Sequence, residues 1–401
     1  MSTSVMPSHR GARALPLGAM TVFSFIAATL LAASSGAPTP LYWLYQQSMH
    51  LTPAAITTVF AIYAFSLLAA MLTVGGLSDY IGRKPVILAS LILNVVAMIV
   101  FARAGNLGHL ILARAIQGLS VGAGITALGA AILDTNRTHG AFLNSVYVFL
   151  GLLFGTLGSA VLVTFAPNPM HLIYEVLLGL TAVLLALLWL MPETSPRKAG
   201  AWSSLRPRLI APRQSRSALL RLSPGNIAIW AFAAFYLSLM PGVVATALHV
   251  ASPLVGGLVV ATLTAAATVT IAVFKDRSPR LLVVAGTGAV SLGVALSLIG
   301  IGQQSVSLLL AAALVSGIGF GSNFLGTLRS LLPTAQPTER AGLLSVFYVQ
   351  CYLAFSLPAI AAGFAVPAIG LAMTAYVYGA AVIVLALGSM TASLIGGKAR
   401  S

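Results

Sequence analysis

Hydrophobic runs of about 20 residues recur along this chain, and they restrict its fold more than any other feature. Each is long enough to cross a ~30 Å hydrocarbon core at about 1.5 Å rise per residue. In lipid every backbone N–H and C=O must find a partner within the protein, so a spanning segment is a helix or a strand of a closed barrel. The runs lack the alternating polarity of a barrel strand and therefore predict helices. Composition points the same way: 59% of the residues are hydrophobic and 7% charged, where an average soluble domain has roughly one-half and one-quarter. The chain reads as an all-α membrane protein.

Twelve spans are expected, at approximately 17–37, 54–76, 85–103, 107–132, 141–166, 170–191, 227–247, 252–274, 281–301, 305–328, 341–366 and 368–391. The first follows Arg10 and Arg13 and superficially resembles a secretory signal, but it is longer than a signal's apolar region and more spans follow, so it reads as a retained helix. With both termini inside, 19 of the 21 basic residues fall in cytoplasmic segments, including Arg83, Lys84, Arg137, Lys275, Arg277, Arg280, Arg329, Arg340, Lys398 and Arg400. Arg103 falls outside and Arg114 within a span. That asymmetry sets the orientation expected of a multi-pass protein with cytoplasmic termini. It also accounts for the net charge of +15 as a topology signal and anionic-lipid contact, which leaves nucleic acid unsupported as a partner. The single cysteine, Cys351, lies in an apolar run and reads as a small buried hydrophobe, with no disulfide or cysteine-rich metal site.

A polar stretch at 192–226, with seven basic residues and one acid, reads as a cytoplasmic linker with a surface helix around 215–222. The expected division is a six-helix bundle over 1–192, a basic linker over 193–226 and a second six-helix bundle over 227–401. The halves echo each other: Asp79 and Arg83 recur as Asp276 and Arg280, 197 residues later, and Gly118 and Gly122 as Gly317 and Gly321, 199 residues later. A duplicated six-helix unit is an architecture that many transporters use, with the substrate site near mid-membrane where the halves meet.

Between spans 2 and 3 the chain reads Gly75-Gly76-Leu77-Ser78-Asp79-Tyr80-Ile81-Gly82-Arg83-Lys84-Pro85. Asp79 can place its charge near the N-terminal dipole of span 3, and Pro85 suits that helix's first turn. Gly75 and Gly82 permit close backbone approach, and Arg83 is a five-donor fork suited to carboxylates. This loop resembles the G-x-L-a-D-r-x-G-r-k signature of the major facilitator superfamily, and the resemblance covers essentially the whole chain. Tyr80 departs from the basic residue often found there. The resemblance implies twelve transmembrane helices in two pseudo-symmetric six-helix bundles and a cytoplasmic latch made of Gly75, Leu77, Asp79, Gly82, Arg83 and Lys84. A carboxylate at the cytoplasmic end of span 4 joins that latch in the family, and Asp134 occupies its place. The alternative for the loop, most of all for Lys84, is a solvated turn obeying the positive-inside rule.

Span 4 carries Arg114-Ala115-Ile116-Gln117-Gly118, which resembles the family's second motif, R-x-x-q-G-x-g, and implies that Arg114 takes part in proton or substrate coupling. A charge within a span normally faces protein or water. Arg114 and Gln117 share a helix face, and Gly118 lets a neighbouring helix approach. Arg114 also lies only about 10 Å from the outer end of its helix, within reach of snorkelling outward. In span 5, Gly151, Gly155 and Gly158 resemble part of a drug–proton antiporter signature, but its proline and closing glycine pair are missing, and helix packing explains the glycines.

Tyr42, Asn144, Tyr147, Tyr236, Asn323, Tyr348 and Gln350 are the further polar positions from which cavity-lining residues are expected, the competing role of each being a helix–helix hydrogen bond or an interfacial anchor. Pro241 and Pro358 are expected to kink spans 7 and 11. Glu175 lies in the first turns of span 6, where a helix N-terminus favours an acid. His139, His171 and His249 sit at loop edges, without the grouping a metal site needs. The expected protein is a monomeric secondary active transporter of the bacterial inner membrane without cofactor or metal, exporting a small molecule in exchange for protons; proton symport for uptake is the alternative. Spans 1 and 7 contain no acid, which leaves the proton site unassigned. An intramembrane enzyme would need convergent acids, histidines or a nucleophile at membrane depth, and a receptor would more naturally carry a folded soluble domain.

Overall fold

A computed structural model describes residues 15–207, 209–336 and 339–398, with side chains described to residue 391. Arg10, Arg13, Arg208, Arg400 and the Lys398 side chain, which contribute to the expected orientation, lie outside the described residues. The first half contains α1 (Leu17–Gly36), α2 (Tyr42–Met49), α3 (Pro53–Val74), α4 (Ser78–Ile81), α5 (Arg83–Ala102), α6 (Leu107–Thr135), α7 (Gly140–Phe165) and α8 (Leu172–Leu188). After a one-turn helix α9 (Ala201–Ser204), the second half contains α10 (Arg213–Ser238), α11 (Met240–Thr246), α12 (Pro253–Phe274), α13 (Pro279–Gly302), α14 (Val306–Leu331), α15 (Arg340–Ile369) and α16 (Leu371–Lys398).

Among the described residues, eleven helical stretches are long and apolar enough to cross a membrane, and α8 is a shorter apolar helix of 17 residues. The sixth expected span, 170–191, is thus the one that falls short. Its last turn loosens into short-range bonds from Leu190 N to Leu187 O and Met191 N to Leu188 O, because Pro192 disfavours helical geometry in the residue before it. The expected linker also differs: the predicted surface helix at 215–222 is the start of α10, which runs without interruption into span 7 and includes Pro224. Span 7 does not kink at Pro241 but breaks at Leu239, and Pro241 opens α11 in the first turn, where its missing N–H costs nothing. Pro358 lies inside the continuous α15.

The helix starts repeat between halves. Thr52 caps α3 and Ser252 caps α12, each followed by proline at the first helical position. Their preceding turns pass through His50 and His249, both with left-handed backbone at φ 52° and 56°. Gly118 and Gly122 of α6 pack on the backbone of α3 at Tyr63 and Leu67, where an added Cβ would strike the carbonyl oxygens. Gly317 and Gly321 of α14 pack on α12 at Leu263 and Ala267 in the same way. The two halves meet through α7 with α12 and α3 with α15. At the end opposite the 75–84 loop, Gly257 approaches Ala160 and Gly363 approaches Thr57 too closely for any side chain, and Gly242 lies beside Gln46 and Leu371. Phe60 and Phe355 extend this seam toward the middle, with ring centroids 4.7 Å apart.

Candidate functional site

Two polar constructions and one cavity stand out in this apolar chain. The first is the 75–84 loop. Leu77 packs against the core, and α4 carries Asp79 toward Arg83. The Arg83 guanidinium donates from Nη1 to Asp79 Oδ1 at 2.5 Å and Ser78 Oγ at 2.8 Å, and from Nε to Asp134 Oδ2 at 3.0 Å. Asp79 thus binds the arginine side chain and does not cap span 3.

The cap comes from Glu193, which accepts from Arg83 N at 2.7 Å and Lys84 N at 3.0 Å, with further donation from Thr194 N and Ser195 N. A carboxylate at this position satisfies orphan donors and sits at the positive end of the α5 dipole. Gly82 adopts φ 99°, a left-handed geometry that disfavours side chains, and a Cβ there would come within 2.6 Å of Glu193 Oε2. Gly75 ends α3 where a Cβ would strike the Met71 carbonyl. Lys84 is not a solvated charge: Nζ donates to the Met191 carbonyl at 2.7 Å. Lys198 N in turn donates to Tyr80 O at 2.7 Å, so the chain after α8 ties the loop down from both sides.

The echo of this loop in the second half is built differently. Among the described residues the ion pairs are those of Arg83, and Asp276 and Arg280 form none. Arg329, near the end of α14, instead donates to the carbonyls of Lys275 and Arg277. Lys275 Nζ reaches across the halves to lie 5.3 Å from the Phe142 ring centroid.

The second construction surrounds Arg114. It does not snorkel outward; it is 1% exposed. Nη1 donates to Gln117 Oε1 at 2.6 Å and to the Ser35 carbonyl at 3.0 Å, and Nη2 donates to Tyr42 Oη. Gln117 Nε2 donates to the Ser34 carbonyl at 2.8 Å. Ser34 and Ser35 belong to the last turn of α1, whose carbonyls lack partners within the helix and carry its negative dipole end. The guanidinium carbon also lies 5.1 Å from the Tyr63 centroid, 5.6 Å from Tyr42 and 5.8 Å from Phe101. All these partners are neutral.

Arg114 lines a cavity of about 160 Å³ between the halves. Asn144, Tyr147 and Tyr348 also line it, whereas Tyr42 and Gln117 bind Arg114 from behind and Gly118 serves the α3–α6 contact. Three expected positions lie elsewhere. Tyr236 bonds Ser297 Oγ at 2.6 Å in a separate small void beside α13, and Asn323 accepts from Thr327 and packs against Gly286. Gln350 donates to Ser223 Oγ and accepts from Asn226, tying α15 to α10. Much of the wall is aromatic and went unnoticed in the sequence. Trp230 is surrounded by Phe320, Phe324, Tyr352 and Phe355, and Phe149 of the first half meets Phe320 edge-on at 5.4 Å. The spacing of Tyr348, Tyr352 and Phe355 does mark one face of α15.

The comparisons with known proteins agree with this architecture. The Major Facilitator Superfamily profile matches residues 24–352. The probable transporter AQR1 of Saccharomyces cerevisiae is 31% identical over 37% of this chain and 25% of its own. The multidrug resistance protein MdtL of Klebsiella pneumoniae is 27% identical over 37% of this chain and 39% of its own. These matches span well under half the length of either relative. Among solved structures, a bacterial homologue of the human lysosomal transporter Spinster, inward-facing and unoccupied, superposes with TM-score 0.77 at 13% identity, covering 94% of this chain and 97% of that one. The nucleoside transporter NupG superposes with TM-score 0.73 at 14% identity, covering 93% and 99%. At those identities the superpositions speak to the fold alone. With the profile spanning most of its length, this multi-pass membrane protein belongs to the major facilitator superfamily.

Proposed function

We propose that the protein exports a small molecule across the bacterial inner membrane by alternating access, in exchange for protons, as a monomer with cytoplasmic termini. The observation that carries this reading is the cavity, which is lined from both halves and lies behind a seam at one end closed by the Gly257–Ala160 and Gly363–Thr57 contacts. Rocking of one bundle against the other would open that seam and expose the same cavity to the opposite side. The Arg83 cluster acts as the latch at the other end. Export is favoured by the multidrug resistance relatives. Exchange for protons rests on the Arg114 motif, and monomeric action on a cavity walled by a single chain.

The test is a transport screen in inverted membrane vesicles with a pH-sensitive dye. Addition of a substrate should dissipate an imposed proton gradient in vesicles containing the protein and not in control vesicles. Substrate flux that leaves the gradient intact would remove the proton part of the reading. Flux in the opposite direction would replace export with uptake.

A further inference from the structure

All six acids of the chain stand at the two ends of the helical bundles. Asp79, Asp134 and Glu193 belong to the latch, Asp276 and Glu339 lie in loops at the same end, and Glu175 is exposed in the first turn of α8 at the other. Arg114 is the charged residue among those lining the cavity. Its three hydrogen-bond partners, the Ser35 carbonyl, Gln117 and Tyr42, are neutral, and its Nε is buried without a hydrogen-bond partner. Trp230 Nε1, on the facing half, is a second buried cavity-wall donor without an acceptor. A fixed cation in a low-dielectric site, uncompensated by any carboxylate, attracts a mobile anion strongly. Unmade donors favour a ligand that brings acceptor oxygens.

Resting on the transporter reading above, we infer that the cavity selects an aromatic organic anion, with its carboxylate or comparable acidic group at Arg114 and its ring among Trp230, Phe149, Phe320 and Tyr352. The guanidinium suits an oxyanion because its fork presents N–H donors in one plane. The aromatic walls take a flat apolar body without imposing a particular ring system. A cationic amphiphile, by contrast, would meet a fixed like charge and no acid.

Three probes of nearly equal shape test this: 2-naphthoate, its neutral amide 2-naphthamide, and 2-naphthylmethylammonium. Binding is read as quenching of Trp230 fluorescence in the full-length protein, with Trp43, Trp189 and Trp202 changed to phenylalanine. The naphthoate should saturate at a concentration about tenfold or more below the other two. Arg114→Gln should erase that preference while leaving amide binding in place, and Arg114→Lys, which keeps the charge, should retain part of it. If Arg114→Gln does not fold, the three probes on the parent protein and on Arg114→Lys decide the matter. Equal or tighter binding of the amide or ammonium overturns the anion assignment, as does failure of all three to bind the folded protein. Vesicle flux is scored separately, so an exporter of neutral or cationic molecules would contradict this inference and leave the transporter reading standing.

Discussion

Arg83 and Asp134 meet across 51 residues of chain, Nε to Oδ2 at 3.0 Å, while the other arm of the same guanidinium holds Asp79. The three belong to the loop between α3 and α5 and to the end of α6, so the pairing joins three helices of one bundle. Arg83 is buried and Asp134 about one-third exposed, so the interaction is worth more than a surface pair and less than a dry one.

Asp134→Asn and Asp79→Asn should each weaken this cluster by about 1–2 kcal/mol, an interaction shared among the remaining partners. Both variants are expected to insert and elute as folded protein, with transport reduced several-fold in vesicles. Wild-type flux from a well-expressed variant would remove the cluster from the gating cycle.

Glu193 is expected to matter although it lies outside the loop motif. Glu193→Ala leaves the Arg83 and Lys84 amides without their acceptor and should cost about 1–2 kcal/mol of stability. Thermal unfolding in detergent checks this, and an unchanged midpoint would mean that water replaces the cap without loss.

Two glycines of α7, three residues apart, should respond in opposite ways. An added Cβ at Gly155 would strike the Ala33 carbonyl of α1, whereas at Gly158 it meets nothing within 4 Å. Gly155→Ala should separate α1 from α7 and lower stability by about 1–3 kcal/mol. Gly158→Ala should be neutral or gain about 0.5–1 kcal/mol through reduced backbone entropy. Thermal midpoints of the two variants, measured side by side, would reverse order if the helices packed differently.

Tyr236 and Tyr348 should separate stability from recognition. Tyr236→Phe loses the bond to Ser297 and should cost about 1 kcal/mol of stability with little effect on ligand affinity. Tyr348→Ala alters the cavity wall and should change affinity for transported compounds. A ligand titration in which Tyr236→Phe is the weaker binder would place the site elsewhere.

The helices were legible because lipid demands apolar runs of a certain length, and Arg114 with Gln117 because a charge in such a run must be answered by protein. Asp79, Arg83 and Asp134 were readable from motif spacing, yet the acid that caps α5 was not, since Glu193 lies 110 residues from its partner and reads locally as part of a polar linker. Tyr236, Asn323 and Gln350 show the complementary failure. A polar group in a greasy helix announces that it needs a partner, but not whether that partner is a ligand or the next helix. Aromatic residues carry even less local information, so Trp230 and Phe320 looked like any lipid-facing or core residue until the two halves were placed together. The break at Leu239 was displaced from the expected proline because Pro241 fits the first turn of the following helix.

Alternating access is tested most directly by the distance between Thr52, which caps the start of α3, and Gly370, which follows the end of α15; both lie outward of the Thr57–Gly363 contact that closes the seam between the halves. Spin labels at cysteines placed there, on a Cys351→Ser background, would report that distance by pulsed electron resonance in lipid nanodiscs. The account predicts two populations, a short one corresponding to the closed seam described above and a longer one whose share changes when a transported compound is added. A single short distance, unchanged by a compound that the same doubly labelled protein demonstrably transports in vesicles, would contradict it.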